Sequence, residues 1–235
     1  RKQEEVGLQS ATDGEFRRAE WHTDFIRQLG GFRQAETFRT VHAFGASQPL
    51  SYDAHGMEVT GTVHLAEPIF ARDFSLLASA VTTAVPKLTI PSPSMMHYPG
   101  GRGLDRKVYP DLEEFFGDVA TAYRAEIAGL AKLGCSYLQV DDTSLAFLNS
   151  AERRKAVGPG GDTQHLRYIQ LINDSLAGKP DDLAVTIHLC RGNFRSAWIP
   201  GTDASYDYVA EALFGSLNVD GYFLEWDSDR AGGFE

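Results

Sequence analysis

The chain has 235 residues, of which 43% are hydrophobic and 23% charged, a composition typical of a globular protein with a sizeable core. Its 22 basic and 32 acidic residues give a formal net charge of −10, which argues against nucleic acid as the main partner. No apolar run is long enough to span a bilayer, and two cysteines, Cys135 and Cys190, indicate a reducing compartment. We therefore predict a cytoplasmic protein with neither a membrane nor a nucleic-acid partner.

The first half of the chain predicts a few separate elements. A strand is predicted from Leu8 to Thr12, and it ends in the acidic turn Asp13-Gly14-Glu15. Met57 to Leu65 alternates apolar and polar residues, which predicts a half-exposed strand or one arm of a hairpin. Further along, Phe74 to Val85 predicts a helix and Lys87 to Ile90 a strand.

Three helix–strand cycles follow in the second half. Apolar residues spaced three and four apart predict a helix from Asp111 to Leu133, and the short buried strand Tyr137 to Val140 comes after it. The other two cycles are the helix Thr163 to Ala177 with the strand Leu183 to Cys190, and the helix Ser205 to Leu217 with the strand Val219 to Glu225. This alternation predicts an α/β fold of parallel strands with right-handed crossovers, either a barrel or a doubly wound sheet, in one domain.

Residues able to bind a metal or a substrate fall at the C-terminal ends of these strands, where α/β folds build their sites. They are Glu15, Asp141, His188, Cys190 and Glu225. Because side chains alternate along a strand, His188 and Cys190 face the same side, and imidazole and thiolate are zinc ligands. Glu225, one strand–helix unit later, could supply a third ligand.

Each of these residues also has a structural explanation. A lone His-x-Cys pair is compatible with a buried histidine and a buried cysteine. One of Asp141 and Asp142 could cap a following helix while the other is solvated, or a carboxylate here could recognise a substrate ammonium group. Glu15 could pair with Arg17 or Arg18.

Taken together, three segments resemble the catalytic barrel of the cobalamin-independent methionine synthase family, especially its short single-barrel relatives. The segments are Asp13-Gly14-Glu15, Leu138 to Asp142 and Thr186 to Phe194. The resemblance implies a (β/α)8 TIM barrel in which zinc activates the thiol of homocysteine as the methyl acceptor. It assigns His188, Cys190 and Glu225 to the zinc ion, and it assigns Asp141 and Glu15 to the amino group of the substrate.

The same resemblance implies an incomplete barrel. The family has a fourth zinc ligand, a Cys, and a general-acid His on later strands than those present here, so we expect both outside this chain. We expect residues 1–235 to form a single catalytic barrel domain truncated at both ends, with the first strand and the C-terminal strands missing and six of eight strands present. Such a piece should be inactive alone. Asp142-Thr143 stands where the family usually has Glu-Pro, which affects a local substrate contact.

The sequence therefore predicts a zinc-dependent methyltransferase that converts homocysteine to methionine with a folate-type or corrinoid-type methyl donor. Three alternatives stay open. The first is zinc-dependent alkyl transfer to another thiol, such as coenzyme M. The second is a metal-free decarboxylase of the uroporphyrinogen type. The third is a non-catalytic module that binds a metal or an amino acid.

Overall fold

A computed structural model of the chain describes residues 1–45, 50–98, 103–194, 197–198 and 205–226. The helices are α1 (Lys2–Glu5), α2 (Thr23–Ile26), α3 (Ala71–Ala80), α4 (Leu112–Lys132), α5 (Ser144–Phe147), α6 (Ala151–Val157), α7 (Gln164–Leu176) and α8 (Asp207–Ser216). The strands are β1 (Ser10–Ala11), β2 (Leu29–Gly45), β3 (Leu50–Leu65), β4 (Val85–Pro91), β5 (Tyr137–Asp142), β6 (Ala184–Leu189), β7 (Asn193–Phe194), β8 (Ala197–Trp198) and β9 (Gly221–Leu224). Single 3₁₀ turns lie at Pro93–Met96 and Gly161–Thr163.

Five strands form a parallel sheet in the order β1-β4-β5-β6-β9. The three predicted helix–strand cycles are present as α4–β5, α7–β6 and α8–β9, with boundaries close to the predicted ones. The expected number of barrel strands was six, and the described residues contain five in this sheet. The difference arises because Met57 to Leu65, the remaining strand candidate, belongs to a hairpin that pairs elsewhere.

One face of the parallel sheet is covered by helices and forms the core. Apolar residues at alternate positions of β4, β5 and β6 are at most 1% exposed, namely Leu88, Ile90, Leu138, Val140, Val185 and Ile187. The longest helix, α4, buries Phe115, Val119 and Tyr123 among other residues, and its N-cap Asp111 accepts a hydrogen bond from the backbone N–H of Glu113. Across the described ranges, no helix combines the length and the apolar character needed to cross a bilayer. The cytoplasmic location stays a prediction.

The other face of the sheet is open and polar, and the sheet curls around it. The Lys87 Nζ atom on β4 lies 4.4 Å from the ring centroid of Phe223 on β9, three strands away. Adjacent strands are roughly 4.8 Å apart, so β4 and β9 would be about 14 Å apart in a flat sheet. The contact shows that the sheet bends toward its open face. The described residues thus form a curled parallel sheet, part of a barrel wall rather than a complete barrel.

A long hairpin forms a second sheet. Strands β2 and β3 pair antiparallel, which confirms the hairpin arm predicted at Met57 to Leu65, and β8 and β7 extend the sheet in the order β3-β2-β8-β7. The register shifts between Gly30 and Phe32, where Gly31 has a φ of 87°. A Cβ atom on Gly31 would lie 2.6 Å from the carbonyl oxygens of Gly61 and Thr62, so only glycine fits this bulge.

Candidate metal centre and adjacent carboxylates

Three predicted metal ligands lie together at the open rim of the parallel sheet. His188 is on β6, Cys190 follows the end of β6, and Glu225 follows the end of β9. The ligand atoms that these side chains offer all lie within 4.8 Å of one another, and each residue is half-buried. Strand β9 pairs in parallel with β6, so Glu225 comes beside the His-x-Cys pair although it is 35 residues further along the chain. No other group of three such residues is found in the part of the chain that the structure describes.

The local hydrogen bonds suit this cluster for metal binding. The Nδ1 atom of His188 lies 3.0 Å from the carbonyl oxygen of Phe223. Because a carbonyl can only accept, Nδ1 carries the proton in this contact, and Nε2 keeps the lone pair that a metal needs. The Nε2 atom is 3.9 Å from Glu225 Oε1. The backbone N–H of Gly192 donates to Cys190 Sγ at 3.4 Å, a contact that restricts the position of the sulfur. One imidazole nitrogen, one sulfur and one carboxylate oxygen form a donor set that fits zinc.

Asp141 lies beside this cluster on the neighbouring strand. It is the register partner of His188 in the β5–β6 pair, and alternation places both side chains on the open face. The side-chain amide of Gln139, two residues earlier on the same face, donates to Asp141 Oδ1 at 2.7 Å. Burial raises the pKa of Asp141 to about 6. The structure thus brings a second functional group next to the predicted ligands, while its role in substrate binding stays a prediction.

Glu15 reaches the same rim from the turn after β1. It has a φ of 56° and is the one non-glycine residue with a positive φ among the described residues. Asp13 supports this conformation, because its Oδ1 atom accepts the backbone N–H of Glu15 at 3.0 Å. The Glu15 carboxylate accepts a hydrogen bond from Thr89 at 2.8 Å and pairs with Arg18 at 3.3 Å. Of the two alternatives for its ion pair, Arg18 is the partner, whereas Arg17 pairs with Asp13.

Asp142 has a structural role that the neighbouring Asp141 does not share. Its carboxylate is fully buried and accepts the backbone N–H of Leu145 at 2.7 Å, the hydroxyl of Ser144 at 3.0 Å and the hydroxyl of Ser94. It therefore caps the short helix α5, as one of the two sequence alternatives predicted. Asp141 is the aspartate that faces the rim.

Sequence reasoning assigned no role to Thr89 and Gln139, and it treated Arg18 only as an ion-pair candidate for Glu15. Thr89 and Gln139 are register partners on β4 and β5, and each donates a hydrogen bond to one of the two rim carboxylates. A signal was present in the sequence, since Gln139 is a polar residue two positions before Asp141 in a buried strand. The contact between Arg18 and Thr89 spans 71 residues and left no local pattern.

Comparison with known proteins adds a second line of evidence. No protein-family model matches the chain. The protein YxjH of Bacillus subtilis is 41% identical over 242 residues, which cover 100% of this chain and 61% of YxjH. A solved structure, a putative vitamin-B12-independent methionine synthase from Listeria monocytogenes, superposes with a TM-score of 0.70 at 38% identity over 96% of this chain and 58% of that one.

A more distant structure has the same fold. The B12-independent methionine synthase from Shewanella sp. W3-18-1, solved in complex with selenomethionine, gives a TM-score of 0.69 at 22% identity over 97% of this chain and 61% of that one. The chain spans about three fifths of the length of each of these three proteins.

Proposed function

Because the chain belongs to the cobalamin-independent methionine synthase family, we propose that it is part of the catalytic barrel of a zinc-dependent methyltransferase that transfers a methyl group to the thiol of homocysteine. The observation that carries the proposal is the position of the His188, Cys190 and Glu225 cluster beside Asp141 on one open rim. The methyl donor is of the folate or corrinoid type. The assignment of residues 1–235 to one catalytic barrel domain belongs to the same proposal.

His188, Cys190 and Glu225 would hold the metal. A bound zinc ion supplies a centre at which a substrate thiol gives up its proton and becomes a nucleophile at neutral pH. The chain's own contribution is to keep His188 in the tautomer that presents Nε2, through its contact with the Phe223 carbonyl. The backbone N–H of Arg191 donates to Glu225 Oε1 at 3.3 Å and restricts the orientation of that carboxylate.

Asp141 and Glu15 would bind the amino group of the acceptor. Two carboxylates beside the metal cluster fit an acceptor that carries both a thiol and an ammonium group, and an ion pair at the amino end would orient the sulfur toward the cluster. The Shewanella relative is in complex with selenomethionine, an amino acid, which supports the choice of an amino-acid acceptor in this proposal. A thiol without an amino group, such as coenzyme M, would leave both carboxylates without an ammonium partner, and Glu15 would keep only its ion pair with Arg18.

The proton needed by the leaving group of a folate-type donor must come from a general acid. We assign this role to none of the residues of this chain.

The proposal is tested by measuring the zinc content of the full-length protein and its formation of methionine from homocysteine, with folate-type and corrinoid-type donors supplied in turn. We expect zinc to be bound and methionine to form with one donor class. A protein that leaves homocysteine unmethylated with every donor tried would contradict the proposal. Comparable methylation of coenzyme M would favour the alternative acceptor. If the protein still decarboxylates a uroporphyrinogen after the metal is chelated, the metal-free decarboxylase alternative would be favoured.

A further inference from the structure

A group of polar contacts lies directly behind the carboxylate of Glu15. The Thr89 hydroxyl donates a hydrogen bond of 2.8 Å to Glu15 Oε1. The Arg18 Nη1 atom donates to the same hydroxyl oxygen at 3.3 Å and lies 3.3 Å from Glu15 Oε2. The three side chains therefore form a closed triangle of contacts, which we call the Glu15 clamp.

Arg18 determines the direction of the Thr89 hydroxyl. A guanidinium group has only hydrogen-bond donors, so the Thr89 oxygen must accept from Arg18, and its own proton is left for Glu15. Arg18 is fixed to the strand as well, since its Nη2 atom donates to the carbonyl oxygen of Thr89 at 2.7 Å. The hydroxyl consequently cannot turn away from Glu15 without losing its contact with Arg18.

Arg18 acts on Glu15 and does not itself reach the open rim. The Arg18 side chain is 3% exposed, and its guanidinium carbon lies 4.0 Å from the ring centroid of Phe70. Both terminal nitrogens already donate to Thr89. A substrate carboxylate therefore has no access to Arg18, whose hydrogen bonds and ion pair reach a ligand through Glu15.

Two unfavourable features are concentrated in the clamp. Glu15 has a positive φ, a conformation that costs energy for a residue with a side chain. Arg18 Nε is buried and has no hydrogen-bond partner among the described residues. Such features persist at functional sites, where the geometry of a particular side chain is required. A loop that only needed anchoring to the sheet would not require a strained glutamate at this position.

We propose that Thr89, oriented by Arg18, is a positioning residue that fixes the Glu15 carboxylate for recognition of the acceptor's ammonium group. The inference rests on the proposed function and deepens it, because it names the residues that make the site selective for an amino thiol. The hydroxyl at position 89 is then a determinant of specificity, even though it does not contact the acceptor.

The test compares two ligands that differ only in the amino group, L-homocysteine and 4-mercaptobutanoate. Their dissociation constants are measured by calorimetry on the zinc-supplemented protein, for the wild type and for Thr89→Val, which has nearly the same shape without the hydroxyl. We expect Thr89→Val to weaken L-homocysteine binding by about 3- to 10-fold and to leave 4-mercaptobutanoate binding unchanged. Thr89→Ser, which restores the hydroxyl, should recover the wild-type affinity.

Thr186 provides a matched control in the same layer of the sheet. It is the next residue in register after Thr89 and Gln139. Its buried hydroxyl has no hydrogen-bond partner within the described part of the chain, so Thr186→Val should leave both affinities unchanged. If Thr89→Val fails to fold, Arg18→Lys replaces it, because a single ammonium group cannot make all the contacts of the guanidinium. Either variant should weaken the binding of L-homocysteine and leave the binding of 4-mercaptobutanoate unchanged.

The outcomes separate this inference from the proposed function. A wild-type protein that binds both ligands equally has no amine site, which would overturn both proposals. If the wild type prefers L-homocysteine and a folded Thr89→Val protein keeps the same preference, the role proposed for Thr89 would be overturned and the proposed function would stand. If Thr89→Val weakens the binding of both ligands equally, Thr89 has a merely structural role, and this result would also overturn the role proposed for it.

Discussion

The two sides of the parallel sheet carry the same three kinds of reactive residue in opposite environments. On the helix-covered side, one aspartate, one histidine and one cysteine are buried; this covered set is Asp142, His97 and Cys135. On the open side, the same three residue types are half-buried at the rim; this open set is Asp141, His188 and Cys190. The sets contain identical chemical groups, so the difference between them arises from position alone.

Hydrogen bonding and burial make the covered set unreactive. His97 Nδ1 contacts the Tyr168 hydroxyl at 2.9 Å, and burial lowers the pKa of His97 to about 4. Burial likewise raises the pKa of Cys135 to about 11, so its thiol stays protonated at neutral pH. Asp142 is occupied by three donors. Residue type therefore identifies a candidate ligand, and the side of the sheet on which it lies decides whether its donor atoms remain available.

The largest expected effect separates the two cysteines. In the full-length protein, Cys190→Ser removes a thiolate from the proposed metal site. We expect zinc binding and methyl transfer to fall by more than about 100-fold, since even outer hydrogen-bonding partners of a metal site contribute about 10- to 100-fold. Zinc is measured by atomic absorption, and methionine is measured as product. The matched variant Cys135→Ser should keep its zinc although its stability falls. Equal zinc loss in both variants would contradict the distinction between the sets.

A smaller effect separates the two adjacent aspartates. Asp142→Asn turns an amide N–H₂ toward groups that already donate, and we expect a loss of about 2 kcal/mol in the free energy of unfolding. Asp141→Asn should change stability by less than about 0.5 kcal/mol, because its amide oxygen can still accept from Gln139. It should instead weaken L-homocysteine binding about 10-fold. Urea unfolding measures the stability of both variants, and calorimetry measures their binding of L-homocysteine. A larger stability loss from Asp141→Asn than from Asp142→Asn would contradict the roles given to the two aspartates.

The smallest expected effect concerns the pH dependence of stability. His97 has a folded pKa of about 4, below its ordinary value of 6.5, so the unfolded chain binds this proton first as the pH falls. Stability attributable to His97 is therefore fully present above about pH 6.5 and is lost progressively toward pH 4. Between pH 7.5 and 5.5 we expect a loss of about 1 kcal/mol.

Removing the titrating group tests this assignment. His97→Asn should abolish that part of the decline, whereas His64→Asn, at an exposed position of the hairpin, should leave the slope unchanged. Urea titrations at several pH values measure how steeply the free energy of unfolding declines as the pH falls. An unchanged slope in His97→Asn would show that another group causes the decline.

Elements with a strong local signal could be predicted from the sequence, and α4 illustrates why. Its apolar residues recur with the helical period, and Asp111 caps it, so its bounds differ from the prediction by one residue at each end. Strand β2 was missed, because register shifts at Gly30/Phe32 and Gln34/Phe38 interrupt the alternation that identifies a strand. The long hairpin is defined by pairing with a partner strand, and no single segment contains that information.

The candidate site shows the same division between local and distant information. The pairing of His188 with Cys190 follows from strand alternation and could be predicted locally. The position of Glu225 beside them depends on the parallel pairing of β6 and β9. Its place at a strand end made it a candidate third ligand, and the resemblance to a known family assigned it to the metal. The contact of Arg18 with Thr89 joins residues 71 positions apart, and only the folded chain reveals it.

The most direct test of the account is the metal dependence of methyl transfer to homocysteine. The full-length protein is stripped of metal with a chelator, and methionine formation is measured before stripping, after stripping and after zinc is restored. The account predicts that activity is lost with the metal, returns with zinc, and does not return in Cys190→Ser. Methionine formation that continues undiminished in the fully metal-free protein would contradict it.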